Sequence, residues 1–181
     1  ADEAMNLVLI GYRGTGKSAV AEVLSRKLGR AAVSLDEEIV REAGMPIPEI
    51  VEKHGWPWFR DLESEIVERF ALRDEAILDT GGGVVLRPEN VENLRRSGAL
   101  FWLTASVDVI VERIRESTER PSLTEGRSFL EEVEEVLSER LPLYRAAADR
   151  EIDTDRLTAS GVADEIVREF QTLTAERRHR A

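Results

Sequence analysis

The chain has no cysteine, and that absence removes disulfide staples, thiolate metal sites and cysteine nucleophiles together. A reducing compartment fits. Lysine is scarce too: only Lys17, Lys27 and Lys53 occur, so nearly all positive charge sits on arginine, whose planar guanidinium suits bidentate grip on carboxylates and phosphates. No apolar run approaches the ~20 residues needed to span a bilayer, and the opening ADEAMNLVLIG lacks the basic start and long apolar core of a signal peptide. The sequence therefore reads as soluble and cytoplasmic, with no membrane partner. Basic charge is short overall, 25 Lys and Arg against 36 Asp and Glu, for a net charge of -11. That balance argues against a nucleic-acid partner, which needs a basic face from which counterions are released. The one basic cluster, Arg177, Arg178, His179 and Arg180, reads as a solvated, frayed C-terminus without a function.

What is present is enough for one domain with a real core: 181 residues, 42% of them hydrophobic. Short runs rich in branched and aromatic residues, LVLI (7 to 10), AAVSL (31 to 35), AILD (76 to 79), ALFWLT (99 to 104) and REIDT (150 to 154), read as five strands. Amphipathic stretches separate them: SAVAEVLSRKLG, PENVENLRRSG, SVDVIVERIRES, FLEEVEEVLSERL and GVADEIVREF. Strict alternation implies right-handed crossovers and a parallel sheet covered on both faces, a three-layer α/β fold with ligands at the carboxyl ends of its strands. Two segments exceed a simple crossover. Residues 36 to 72 carry two or three short helices and read as an inserted substrate-binding segment, and the polar ESTERPSLTEGRS, 116 to 128, reads as a mobile lid.

GYRGTGKS, Gly11 to Ser18, fills the Walker A pattern between a strand and a helix. Its glycines turn backbone N–H groups toward phosphates, the helix N-terminus adds positive potential, Lys17 supplies a point charge, and the Ser18 hydroxyl can ligate Mg²⁺. Asp36 follows the second strand, where an acceptor would wait, and its carboxylate can orient a hydroxyl and take its proton; Glu37 and Glu38 suit the acidic first turn of a helix, and Asp36 alone could be either. In GWPWFRDLESE, Arg60 lies among Trp56, Trp58 and Phe59. An arginine on an aromatic wall wants an anionic partner, either a ligand or Glu63 three residues on. Gly81, Gly82 and Gly83 form a second backbone-exposing turn at the same sheet edge, which suggests close approach of a ligand.

Taken together, GYRGTGKS, Asp36, Phe59-Arg60, TGGG, Arg120-Pro121 and Arg140-Leu-Pro-Leu-Tyr144 resemble shikimate kinase in order and spacing, over roughly residues 6 to 170. The resemblance implies the P-loop NTPase fold and transfer of the γ-phosphoryl of ATP to the 3-hydroxyl of shikimate, a step toward chorismate and the aromatic amino acids. It implies small-molecule partners only, with Mg²⁺ as cofactor and a monomeric state. Carried over by position, Gly14, Thr15, Gly16, Lys17, Ser18 and Ala19 hold the nucleotide. Asp36 contacts the ring hydroxyls and acts as base or orienter, Arg60 and Arg140 grip the carboxylate, and Gly81, Gly82 and Gly83 offer backbone to the substrate. Arg120 closes with the lid over the phosphates, and Arg156 lies near the adenine.

One departure stands out. Members of that family usually end the second strand in two acids two residues apart, the earlier helping to hold Mg²⁺ through water, whereas here the pair reads Ser34-Leu-Asp36. The third strand closes on Asp79, as a Walker B element does, so Asp79 is expected to join Ser18 at the metal, the alternative being that it only caps the turn before Gly81. Two rivals remain at this point. One is another kinase of this architecture, acting on gluconate or a nucleoside monophosphate; the other is a silent relative that binds nucleotide and serves as a partner-binding module.

Overall fold

A computed structural model describes residues 4–116 and 129–181. The elements alternate as the hydrophobic pattern requires: β1 (Asn6–Ile10), α1 (Lys17–Leu28), β2 (Ala32–Ser34), α2 (Leu35–Ala43), α3 (Ile47–His54), α4 (Trp56–Ala71), β3 (Ile77–Asp79), α5 (Pro88–Ser97), β4 (Gly98–Thr104), α6 (Val107–Glu116), α7 (Phe129–Ala147), β5 (Arg150–Asp153) and α8 (Ala159–Arg180). The strands make one sheet in the order β2-β3-β1-β4-β5, and every pairing is parallel.

Because parallel strands are buried on both faces, alternate residues of β1 enter two separate cores. Val8 and Ile10 join the core under α2 to α7, while Leu7 and Leu9 pack against α1 and α8 with Phe101, Ile152, Val162 and Ile166. This puts the helices of the inserted segment and α7 on one face. That face and the carboxyl ends of β1, β2 and β3 bound the site.

Three local outcomes differ from the sequence reading, each for a physical reason. β2 is only three residues long, and Ser34 both ends it and caps α2, its hydroxyl accepting from the Glu37 N–H at 3.3 Å. Asp36 therefore sits in the first turn of a helix, a position compatible with both of the parts its sequence context allows. Helix α7 continues through Pro142 to Ala147, although a proline at that position deprives the Ser138 carbonyl of its helical donor. Burial of Tyr144 and Ala147 beyond it compensates. Helix α8 runs on through Arg180, with Arg177 beside Met5 and 3.7 Å from the Asp149 carboxylate, so the basic end is helical rather than frayed. Among the described residues no helix is long and apolar enough to cross a membrane. The expected lid, 116 to 128, lies outside the described residues apart from Glu116 at the end of α6, and Arg120 lies outside them too.

Candidate active site

The phosphate loop joins β1 to α1 through glycines that no other residue replaces easily. Gly14 and Gly16 have φ of 82° and 88°, the left-handed region. Gly11, at φ 142°, leaves no room either: a Cβ there would fall 2.6 Å from the Leu103 carbonyl oxygen. Thr15 closes the turn by donating to the Tyr12 carbonyl at 2.8 Å. The ammonium of Lys17, itself buried, donates to the Gly11 and Tyr12 carbonyls at 2.6 and 3.0 Å and so stands inside the loop it would charge. Ser18 and Ala19 follow in the first turn of α1, both exposed.

Ser18 is tied to the neighbouring strand. Its hydroxyl donates to Oδ2 of Asp79 at 2.7 Å. Asp79 ends β3 in register with Leu9 on one side and Ser34 on the other, so the missing acid of β2 and the extra acid of β3 face each other across adjacent strands. Burial pushes the Asp79 carboxyl above the usual range; the Lys17 charge and the Ser18 bond oppose that push, and the charges of Asp36 and Glu37 add to it.

Immediately after β3 the triglycine turn meets three elements at once. None of its glycines has a positive φ, so what they supply is space rather than conformational freedom. A Cβ on Gly81 would lie 2.7 Å from Oδ1 of Asp36 and 3.2 Å from Oε2 of Glu63; one on Gly83 would collide with the Arg60 guanidinium; one on Gly82 would touch Nη1 of Arg140 and the Arg13 N–H nitrogen, each at 3.5 Å. The turn thus gathers Asp36 from α2, Arg60 and Glu63 from α4 and Arg140 from α7, beside the phosphate loop. They come from three segments far apart in the chain.

Arg60 has both kinds of partner that its surroundings allow. It donates to Oε1 of Glu63 at 2.8 Å, and its Cζ lies 5.3 and 5.1 Å from the Trp56 and Phe59 ring centres. The intrahelical pair therefore forms. Glu63 is almost wholly enclosed, and burial raises its carboxyl above the ordinary value despite the attraction of Arg60. Asp36 pushes it further up, while Arg140 lowers it. The fork of Arg60 thus carries one buried acid while its aromatic wall keeps it at the turn.

The shikimate kinase family model matches residues 13–171, most of the chain. The chain belongs to the shikimate kinase family. It is 43% identical over 169 residues to the shikimate kinase of Thermodesulfovibrio yellowstonii, which covers 93% of this chain and 96% of that one. Its structure superposes with a TM-score of 0.88 on a shikimate kinase from Acinetobacter baumannii in complex with shikimate, at 31% identity, over 93% of this chain and 94% of that one. A gluconokinase from Sinorhizobium meliloti also superposes, with a TM-score of 0.65 over 98% of each chain, but at 21% identity the likeness is one of fold alone. The family match is what separates the shikimate reading from its gluconate rival.

Within this shikimate kinase frame, three residues at the site escaped sequence reasoning. The sequence offers Glu63 only as a partner for Arg60, and nothing in an amphipathic helix marks one glutamate as buried. Tyr144 donates its hydroxyl to the Gly82 carbonyl at 2.5 Å, a contact between residues 62 positions apart. Arg113 of α6 donates to the Gly14 carbonyl at 3.1 Å and to Oγ1 of Thr154 at 3.3 Å, joining the phosphate loop to the end of β5. Arg156 is exposed in the turn beyond, whereas Arg113 is bonded to the phosphate loop from that side.

Proposed function

We propose that the chain transfers the γ-phosphoryl group of ATP to the 3-hydroxyl of shikimate. The observation that carries this is the gathering of Asp36, Arg60 and Arg140 around the triglycine turn, next to the phosphate loop. Two guanidiniums at one glycine turn in a protein of net charge -11 suit a small carboxylate far better than a neutral sugar. The family membership points the same way.

In this reading residues Gly14 to Ala19 hold the phosphates of ATP, with the Lys17 ammonium moving from the loop carbonyls to the β- and γ-phosphates. Arg60 and Arg140 anchor the shikimate carboxylate, and the Gly81 to Gly83 backbone approaches the ring, which fixes the 3-hydroxyl near the phosphorus. As the oxygen–phosphorus bond forms and the bond to the β,γ-bridging oxygen breaks, the hydroxyl proton passes to the Asp36 carboxylate and ADP leaves. Arg120, with the lid, would neutralise transition-state charge, and Arg156 would lie on the adenine side. The enzyme would act as a cytoplasmic monomer on small molecules alone.

Mg²⁺ would neutralise phosphate charge when bound. Among the described residues no group of three or more acids or histidines could hold a metal by itself. That suits Mg²⁺ at a kinase site, which is held by one or two protein oxygens, substrate phosphates and water. Ser18 and Asp79 fit: a buried carboxylate whose charged form is costly, bonded to a hydroxyl on the phosphate loop, gains most from a cation placed beside it. Asp79 would then take over the part of the acid absent at Ser34.

Asp79→Ser should accordingly raise the Mg²⁺ concentration for half-maximal activity about tenfold, the size of one lost contact to a charged group. Adding Ser34→Asp should bring it back, since aspartate caps a helix as well as serine does and sits opposite on the next strand. Stability supplies an independent readout. A carboxyl raised on folding costs stability as pH climbs through its folded value, so Asp79→Ser should raise the Tm of chelator-treated protein more at pH 8 than at pH 5. Unchanged Mg²⁺ dependence would reduce Asp79 to a turn cap.

The function itself is tested by a substrate panel with coupled ADP detection. Shikimate should be the acceptor. Turnover on gluconate or a nucleoside monophosphate with shikimate inert would overturn the reading, and no single turnover on any acceptor would leave a nucleotide-binding module.

A further inference from the structure

Tyr144 is wholly buried and its ring stacks on Trp102, with centroids 5.8 Å apart. A buried phenol needs a partner, and this one finds it on the acceptor side of the site. Its hydroxyl proton goes to the Gly82 carbonyl at 2.5 Å. The Arg140 guanidinium, one helical turn earlier on α7, lies beside the same turn, its Nη1 3.5 Å from where a Cβ on Gly82 would stand, and its charge acts on the phenol. Burial pushes the phenol up to about 12, so the hydroxyl remains a donor at any working pH. Gly82 in turn packs against the Arg13 backbone nitrogen and the Gly11 carbonyl of the phosphate loop.

We propose that Tyr144 is a positioning residue for acceptor recognition, its hydroxyl locking the triglycine turn and the Arg140 guanidinium into one rigid unit before substrate arrives. The proposal rests on the shikimate reading of the site. A free arginine samples many rotamers and loses that freedom on gripping a ligand. An arginine packed beside a fixed phenol and a fixed turn has lost much of it beforehand. The phenol's bond fixes the Gly82 carbonyl, and with it the backbone that faces the acceptor. Tyr144 touches neither substrate. Its effect should therefore fall on acceptor affinity and spare both nucleotide binding and the chemical step.

Tyr144→Phe keeps the ring, the stack on Trp102 and the volume, and deletes only the hydroxyl. Titration calorimetry of shikimate and of Mg-ADP on the full chain should give a shikimate Kd roughly tenfold weaker, the size of one hydrogen bond, with the Mg-ADP Kd unchanged. Steady-state kinetics should show KM for shikimate rising by the same factor while kcat holds within about twofold. Ala147→Gly, buried one turn further along α7, controls for general loosening of the helix and should lower Tm without moving the shikimate Kd. If wild type binds shikimate and Tyr144→Phe binds it equally, or if Ala147→Gly loses the same affinity, the positioning role is wrong and the acceptor reading stands. Failure of wild type to bind shikimate overturns both.

Discussion

Replacing Asp36 with asparagine is expected to lower kcat at least about a hundredfold, the usual worth of a general base, while KM for shikimate moves much less. Asparagine has the size of aspartate and can still hydrogen-bond a ring hydroxyl. What it cannot do is take the proton as the bond to phosphorus forms. The structure sharpens the test, because Asp36 sits in the first turn of α2, where a carboxylate could merely complement the helix dipole. That lesser part is covered by others: Ser34 caps the helix and Glu37 and Glu38 share the turn. The substitution should therefore leave Tm almost unchanged. It should also relieve two neighbours, since the Asp36 charge pushes up the carboxyls of both Glu63 and Asp79. Near wild-type turnover in Asp36→Asn, with the fold intact, would reduce Asp36 to an acid of the helix turn.

The parts of this molecule legible in its sequence are those set by local pattern. Apolar runs bounded by glycine and charge located all five strands within a residue or two, and strict alternation with helices required the parallel sheet. GYRGTGKS declared its own geometry because left-handed glycines and a strand-to-helix turn have few alternatives. Pairings that join distant segments were not legible. A glutamate at position 63 looks like any solvent-facing residue of an amphipathic helix until α2 and the triglycine turn meet α4 there. Tyr144 stands in the sequence only as the end of the Arg140-Leu-Pro-Leu-Tyr144 motif, and the fold alone reveals that it is buried with its hydroxyl on Gly82. The glycines of TGGG suggest close approach of a ligand; they also make room for Asp36, Glu63, Arg60 and Arg140, so their need is steric. Pro142 misled in the opposite sense, because tertiary burial on both sides outweighed one lost backbone bond.

Arg60→Ala and Arg140→Ala should each weaken shikimate binding by a factor of about 10 to 150, the equivalent of losing a charge-assisted pair worth ~1.5 to 3 kcal/mol, with ATP affinity spared. In stability the two variants should part company. Arg140 is helped by Tyr144 but is not the main partner of a buried acid, so its loss should cost little. Arg60 is that partner: removing it strands Glu63, and breaking a buried pair in this way typically costs about 3 to 5 kcal/mol, less whatever protonation recovers. Glu63 already has a raised carboxyl, and the attraction of Arg60 is the first of the effects holding it down. Without it the folded value climbs further. The stability that a raised carboxyl retains is present at low pH and lost as pH rises through the folded value, so Arg60→Ala should lose more Tm at pH 8 than at pH 5. Adding Glu63→Gln to Arg60→Ala should recover most of the stability, because the stranded charge is gone, and none of the shikimate affinity, because the grip on the carboxylate is still missing. Equal losses of ATP and shikimate affinity in Arg60→Ala would show the arginine to be a structural strut. Recovery of shikimate binding in the double variant would show the same, since affinity would then have followed the integrity of α4 rather than the guanidinium.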